Sequence, residues 1–97
     1  MTRLAVTERA FQSRVEAYAK LCGWLTYHAT ISQFSTPGWP DLAMTRNGRL
    51  VFAELKSETG RVSPAQRRWL EHLELVPCAE VFVWRPPDWP AVQAVLR

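Results

Sequence analysis

The sequence has little that would tie it to the outside of a cell or to a membrane. Its two cysteines, Cys22 and Cys78, are too few and too far apart to form a disulfide framework or a zinc site. They fit instead as small core residues in a reducing compartment. No apolar run approaches the length of a membrane span or a secretory signal, so a soluble, cytoplasmic protein is expected. Internal repeats, linkers and low-complexity stretches are missing as well. Ninety-seven residues are expected to form one domain, residues 1–97, with no room for an accessory module. Nearly half the chain is apolar, and the net charge of +3 suits a polyanionic partner.

Local signals order the elements. Thr7 is the expected N-cap of a first helix, with Val6 and Phe11 as a hydrophobic staple. Phe11, Val15, Tyr18 and Cys22 form its apolar stripe, and Gly23 stops it. Trp24 to His28 alternates as a short strand, and Ala29 to Pro40 reads as a loop. Asn47-Gly48 is a strong type I′ hairpin signal, since both residues tolerate positive φ. Ser63-Pro64-Ala65-Gln66 is a capping box with proline at the first helical position, opening a helix to about Leu75. Ala79 to Trp84 is a second strong strand, and Asp88 is the expected cap of a final helix. The result is an αβββαβ core with a C-terminal helix, a mixed sheet flanked by helices, in which the last crossover makes a βαβ unit.

The hairpin carries the chemistry. A turn at Asn47-Gly48 pairs Arg46 with Arg49, Met44 with Val51 and Asp41 with Glu54. Leu50, Phe52, Glu54 and Lys56 then share one face, and Val51, Ala53 and Leu55 the other. Opposed residues bring their Cβ atoms to about 4.5–5.5 Å, where like charges destabilise a sheet. Two full negative charges at about 4 Å and an effective dielectric of about 20 repel by roughly 4 kcal/mol. A shared proton or Lys56 would offset part of that. A hard divalent ion such as Mg²⁺ or Mn²⁺ would do it best, because it favours carboxylate, carbonyl, water and phosphate oxygens. The competing account is a slipped register that leaves two surface acids.

Pro37-Gly38-Trp39-Pro40-Asp41, then Glu54-Leu55-Lys56, then Gln66 in the next helix, resembles the PD-(D/E)XK nuclease superfamily, and within it the VRR-NUC branch. The resemblance spans nearly the whole chain in element order and implies a restriction-endonuclease-like fold. It further implies an endodeoxyribonuclease using Mg²⁺ or Mn²⁺, with Asp41 and Glu54 holding the metal and the Leu55 carbonyl completing the protein ligands. Lys56 would orient the attacking water and balance charge developing on the phosphate. Small stand-alone members of this branch, of bacterial or phage type, resemble homodimeric enzymes acting on branched DNA, including four-way junctions. The alternative from another class is a catalytically silent nucleic-acid-binding module with the same fold. Opposed carboxylates argue against it, because a pure binder has no need of them.

Several residues have two readings. Gln66 is the N3 member of the capping box, yet it shares a helix face with Trp69, Leu70 and Leu73, and the resemblance puts a glutamine here beside the catalytic lysine. Glu8 suits the helix dipole, but it falls on the buried stripe, and the resemblance places a helix-1 glutamate near the metal. Gln12 is a weaker candidate for the same role, and Glu16 is expected in solvent. His28 and His72 have no spacing that recruits them to the Asp41 cluster. Trp39 either stacks on an unpaired base or packs its loop against the first helix. Arg46 and Arg49 at the hairpin tip, Arg61 just past Lys56, and Arg67 with Arg68 on the second helix are candidate phosphate contacts. Arg67 and Arg68 read equally well as a solvated helix face.

Overall fold

Thr7 begins the first helix as its spacing suggests, its hydroxyl accepting the Ala10 N–H at 3.0 Å. The structure, a computed structural model, describes residues 5–29 and 36–97. Its elements are α1 (Glu8–Leu21), β1 (Leu25–His28), β2 (Leu42–Arg46), β3 (Arg49–Leu55), α2 (Pro64–Glu74), β4 (Ala79–Trp84) and α3 (Trp89–Leu96), with a 3₁₀ turn at Pro86–Asp88 before α3. That is the expected αβββαβα order. The loop expected from Ala29 to Pro40 lies in part outside the described residues.

Helix α1 ends in a Schellman motif, with Gly23 N–H on the Lys20 carbonyl and Trp24 N–H on the Ala19 carbonyl, both at 3.0 Å. Trp24 is thereby drawn out of the strand expected to begin with it. Its indole is buried and donates to the Leu96 carbonyl at 2.7 Å.

The sheet order is β1-β2-β3-β4, antiparallel across the first two pairs and parallel between β3 and β4. Asn47 (φ 49°) and Gly48 (φ 79°) both adopt positive φ at the hairpin tip, as a type I′ turn requires. The β2–β3 register is the one that turn dictates, from Arg46↔Arg49 through Met44↔Val51 to Leu42↔Ala53.

Each face of the sheet is covered differently. Val51, Ala53 and Leu55 join Leu42 and Met44 in the main core, against Phe11, Val15 and Ala19 of α1 and Val92 and Leu96 of α3. This buried apolar surface is the largest favourable term holding the fold. The opposite face carries Phe52, Glu54 and Lys56, and α2 lies over it with Leu70 buried. Charged groups that face α2 are therefore sealed between helix and sheet rather than left in water.

Asp88 stands at the N-cap position of α3, but its side chain does not cap that helix. Its carboxylate accepts the Arg85 N–H at 2.8 Å and closes the 3₁₀ turn, because Pro86 and Pro87 bend the chain before the helix begins.

Candidate active site

Asp41 stands one residue outside the β2–β3 ladder, which closes at Leu42↔Ala53. Two bonds hold it at the mouth of the hairpin. Its carbonyl accepts the Ala29 N–H at 3.1 Å, and its Oδ2 accepts the Leu55 N–H at 2.8 Å. The residues before it are fixed by a close approach to α2. Gly38 has φ 94°, and a Cβ there would lie 2.4 Å from the backbone carbon and oxygen of Ala65. Only glycine fits, and the buried Pro40 then delivers Asp41 to the sheet.

Glu54 is wholly buried beside Asp41. Gln66 donates from Nε2 to Glu54 Oε1 at 3.1 Å while its own Oε1 accepts the Ser63 N–H at 2.8 Å. One side chain therefore performs both of the roles considered for it, closing the capping box and fixing the acid. Lys56 Nζ lies 3.9 Å from the same Oε1, and Lys56 is itself buried. Glu54 Oε2 is buried and, among the described residues, meets no N–H or hydroxyl donor.

These contacts set the proton affinity of Glu54. Burial raises its pKa first, and a hydrogen bond with the Asp41 carboxyl and that group's charge raise it further. Lys56 pulls in the opposite direction and Glu8 adds a little, leaving the carboxyl pushed up to about 9. A carboxyl with that pKa holds its proton at neutral pH when no cation is bound.

The donor set suits a hard divalent ion. Glu54 offers a buried oxygen that meets no N–H or hydroxyl donor among the described residues, Asp41 has one oxygen beyond its bond to Leu55, and every donor is oxygen. Among the described residues no three His, Cys, Asp or Glu side chains cluster as a metal site. That is compatible with Mg²⁺, which commonly takes one or two carboxylates and fills its remaining positions with water and phosphate oxygens.

Glu8 and Gln12 line a cleft of about 520 Å³ with Arg9, Ser13, Glu16, His28, Ala29 and Asp41. Glu8 is exposed rather than on the buried stripe. It acts on Glu54 through space and belongs to no three-residue cluster. Glu16 is not simply solvated: it lies 3.4 Å from His28 Nδ1 and 3.3 Å from Lys20 Nζ. His28, whose spacing gave no reason to join it to the Asp41 cluster, reaches the cleft because β1 runs antiparallel to β2 and sets it opposite Leu42, next to Asp41. Only the β1–β2 register would have revealed it, and no turn residues fix that register. His72 stays exposed on α2.

Three of the expected nucleic-acid contacts are engaged elsewhere. Arg46 donates to the carbonyls of Cys22 (2.8 Å), Leu96 (2.9 Å) and Arg97 (3.2 Å), gathering the ends of α1 and α3. Arg49 forms a two-pronged bond to Glu80 at 2.8 and 2.9 Å and a third bond to the Val95 carbonyl, holding Glu80 below its ordinary range. Both guanidinium groups also lie over the Trp24 ring. Trp39 packs edge-on against Phe52 and Trp69, with ring centroids 5.6 and 4.9 Å apart, so its partners are β3 and α2 rather than the first helix. Arg61, Arg67 and Arg68 remain exposed.

Known proteins share this fold. The family model of the VRR-NUC domain matches residues 3–82. A solved structure described as a VRR-NUC domain protein superposes with a TM-score of 0.71 at 21% identity, covering 95% of this chain and 86% of that one. A second, described as a VRR-NUC domain, gives 0.64 at 27% identity and covers 93% and 95%. No curated protein matches the chain.

Proposed function

The chain belongs to the VRR-NUC domain family, a nuclease-type family, and from that premise we propose that it is a divalent-metal-dependent endodeoxyribonuclease acting on branched DNA. The observation that carries the reading is the buried Glu54 carboxyl, set against the Asp41 carboxyl with one oxygen that meets no N–H or hydroxyl donor among the described residues. Folding alone does not favour such a group, because burial beside a second carboxyl disfavours its charged form and leaves it holding a proton.

Asp41 and Glu54, with the Leu55 carbonyl, would hold Mg²⁺ or Mn²⁺, which when bound polarises a phosphate and makes a coordinated water more acidic. The chain's own groups supply the rest. Gln66 fixes the Glu54 carboxylate through Oε1 and leaves Oε2 free to act as a ligand. Lys56 holds its ammonium near that carboxylate in a water-poor setting, where it can hydrogen-bond the attacking water and meet negative charge as it develops on the phosphate oxygens. No side chain needs to attack phosphorus.

Arg61 and Arg67, exposed near the site, are read as phosphate contacts. Branched DNA and a homodimer are parts of the same proposal, since a twofold assembly presents one site to each of two equivalent strands of a junction. Its place of action is the cytoplasm, in a bacterial or phage-infected cell. No described helix is long and apolar enough to cross a membrane.

The test is a panel of linear, flapped and four-way DNA with Mg²⁺, Mn²⁺ or EDTA. Cleavage should require the metal and favour the branched substrates. Lys56→Ala should cut at least about 100-fold more slowly while binding DNA nearly as well, because its work lies in the transition state. Metal binding at Asp41 and Glu54 with no cleavage on any substrate would favour a silent binding module instead.

A further inference from the structure

We propose that Arg85 is a positioning residue for the reaction: it straps down the Ser57–Gly60 loop and, through that loop, locates the ammonium of Lys56. The proposal rests on the nuclease reading for its effect on rate, though not for its effect on Lys56.

Lys56 has an unusual problem of placement. Among the described residues its ammonium makes no hydrogen bond. Its one charged partner, Glu54 Oε1, is 3.9 Å away, beyond hydrogen-bond range. A buried four-carbon stem carrying a charge must therefore be located by what packs around it and by its backbone. The backbone is pinned to β4, with Lys56 N–H donating to the Trp84 carbonyl at 3.0 Å. The next residue of β4's exit, Arg85, reaches back over the site. Its Nη1 donates to the carbonyls of both Ser57 and Gly60 at 2.6 Å. Gly60 N–H closes the loop onto Ser57 Oγ at 2.9 Å, and Asp88 holds the Arg85 backbone from behind at 2.8 Å.

The loop so held lies against the lysine. A Cβ built on Gly60 would sit 3.6 Å from Lys56 Cδ, at ordinary van der Waals range, and 3.0 Å from Ser57 Oγ, so the Gly60 backbone lies close beside the stem. Lys56 is 8% exposed. Releasing the loop would open that side and let the stem explore other rotamers. The two carbonyls that Arg85 gathers belong to the residues flanking Glu58 and Thr59, so one guanidinium closes the whole turn. Both bonds come from Nη1, whose two N–H groups lie fixed in the guanidinium plane, one for each carbonyl; a lysine ammonium could also carry two bonds but without that fixed aim.

Arg85→Ala should keep its fold and its affinity for Mn²⁺ alone, while kcat on junction DNA falls about 10–100-fold and KM changes less than about threefold, the pattern of a misplaced catalytic group. Amide exchange at Gly60 should quicken, and Arg85→Lys should be intermediate. Millimolar methylguanidinium should restore part of the lost rate in Arg85→Ala, which a general loss of stability would not allow. A folded Arg85→Ala with wild-type kcat, or slowed catalysis with unchanged Gly60 exchange, would overturn the proposal. Should Arg85→Ala fail to fold, Gly60→Ala provides the second arm: its Cβ crowds Ser57 Oγ, the oxygen that closes the loop, and by shifting the loop should lower kcat with KM held, and an unchanged kcat there would overturn the proposal too. Failure of the nuclease reading would look different, since wild-type protein would then cut nothing, and the nitrogen resonance of the Lys56 ammonium in wild type and Arg85→Ala would still report whether the strap locates it.

Discussion

Glu54 is the residue around which the site is balanced. Burial and Asp41 hold its proton to about pH 9, whereas in the unfolded chain it leaves near pH 4.3, roughly the ordinary glutamate value. Between those limits the folded state carries the extra proton, so raising the pH through that window costs stability, and the loss levels off above about 9. The metal-free protein should therefore lose stability on the order of a few kcal/mol from about pH 5 to 9 and melt at progressively lower temperature across that range. Glu54→Gln, which has no proton to lose, should flatten that slope and be the more stable protein at pH 8. Thermal melts of both proteins in chelator across that range would check it, and a wild-type slope as flat as the variant's would remove the buried acid from this account. The same proton should leave when a divalent ion binds at pH 7, because the ion takes its place between the carboxylates.

At the scale of elements, what could be read from the chain was what neighbouring residues dictate. The Asn47-Gly48 turn fixes its own register, and that register carries Asp41 to Glu54 without help from the rest of the fold. Ser63 and Gln66 likewise announce the start of α2, and the helix face that carries Trp69 and Leu70 turns the Gln66 amide toward the acid. Contacts across long stretches of chain could not be read this way. Arg46 and Arg49 look like free cations at a hairpin tip, yet they bind carbonyls brought to them by the ends of α1 and α3. His28 reaches the cleft through a strand register that no local turn sets. The Pro37–Pro40 segment matched a motif, but its physical reason lies in α2. Gly38 faces the Ala65 backbone, and Gly38→Ala would combine a disfavoured φ, costing about 1–3 kcal/mol, with a collision between two backbones that cannot yield cheaply. The expected result is a lower melting temperature together with loss of metal binding, because the loop that delivers Asp41 must lift from the helix that carries Gln66. A Gly38→Ala protein with wild-type Mn²⁺ affinity would show that the two halves of the site are placed independently.

At the scale of the whole molecule, each chain has one Asp41–Glu54–Lys56 site, and that site can account for one strand. Resolving a four-way junction takes two cuts in strands of like polarity, which a twofold dimer supplies with no new chemistry. Positive charge outside the site, at Arg61, Arg67 and Arg68, is exposed and free to meet phosphates, so binding should weaken steeply with salt whether or not the strand is cut. Binding and cutting can therefore be separated by mixing subunits. Wild-type chains mixed into an excess of Glu54→Ala chains should sit mostly in heterodimers, which still bind the junction and retain one working site, while the more numerous Glu54→Ala homodimers bind but cut nothing. The heterodimers' product should be a nicked junction, with resolved duplexes appearing only in proportion to the remaining wild-type homodimer. Denaturing gels read the nicks and native gels the resolution. If the mixture instead resolved junctions in simple proportion to the wild-type chains added, or if sedimentation found a monomer both free and on DNA, each chain would be acting alone and the paired geometry would have to come from the substrate.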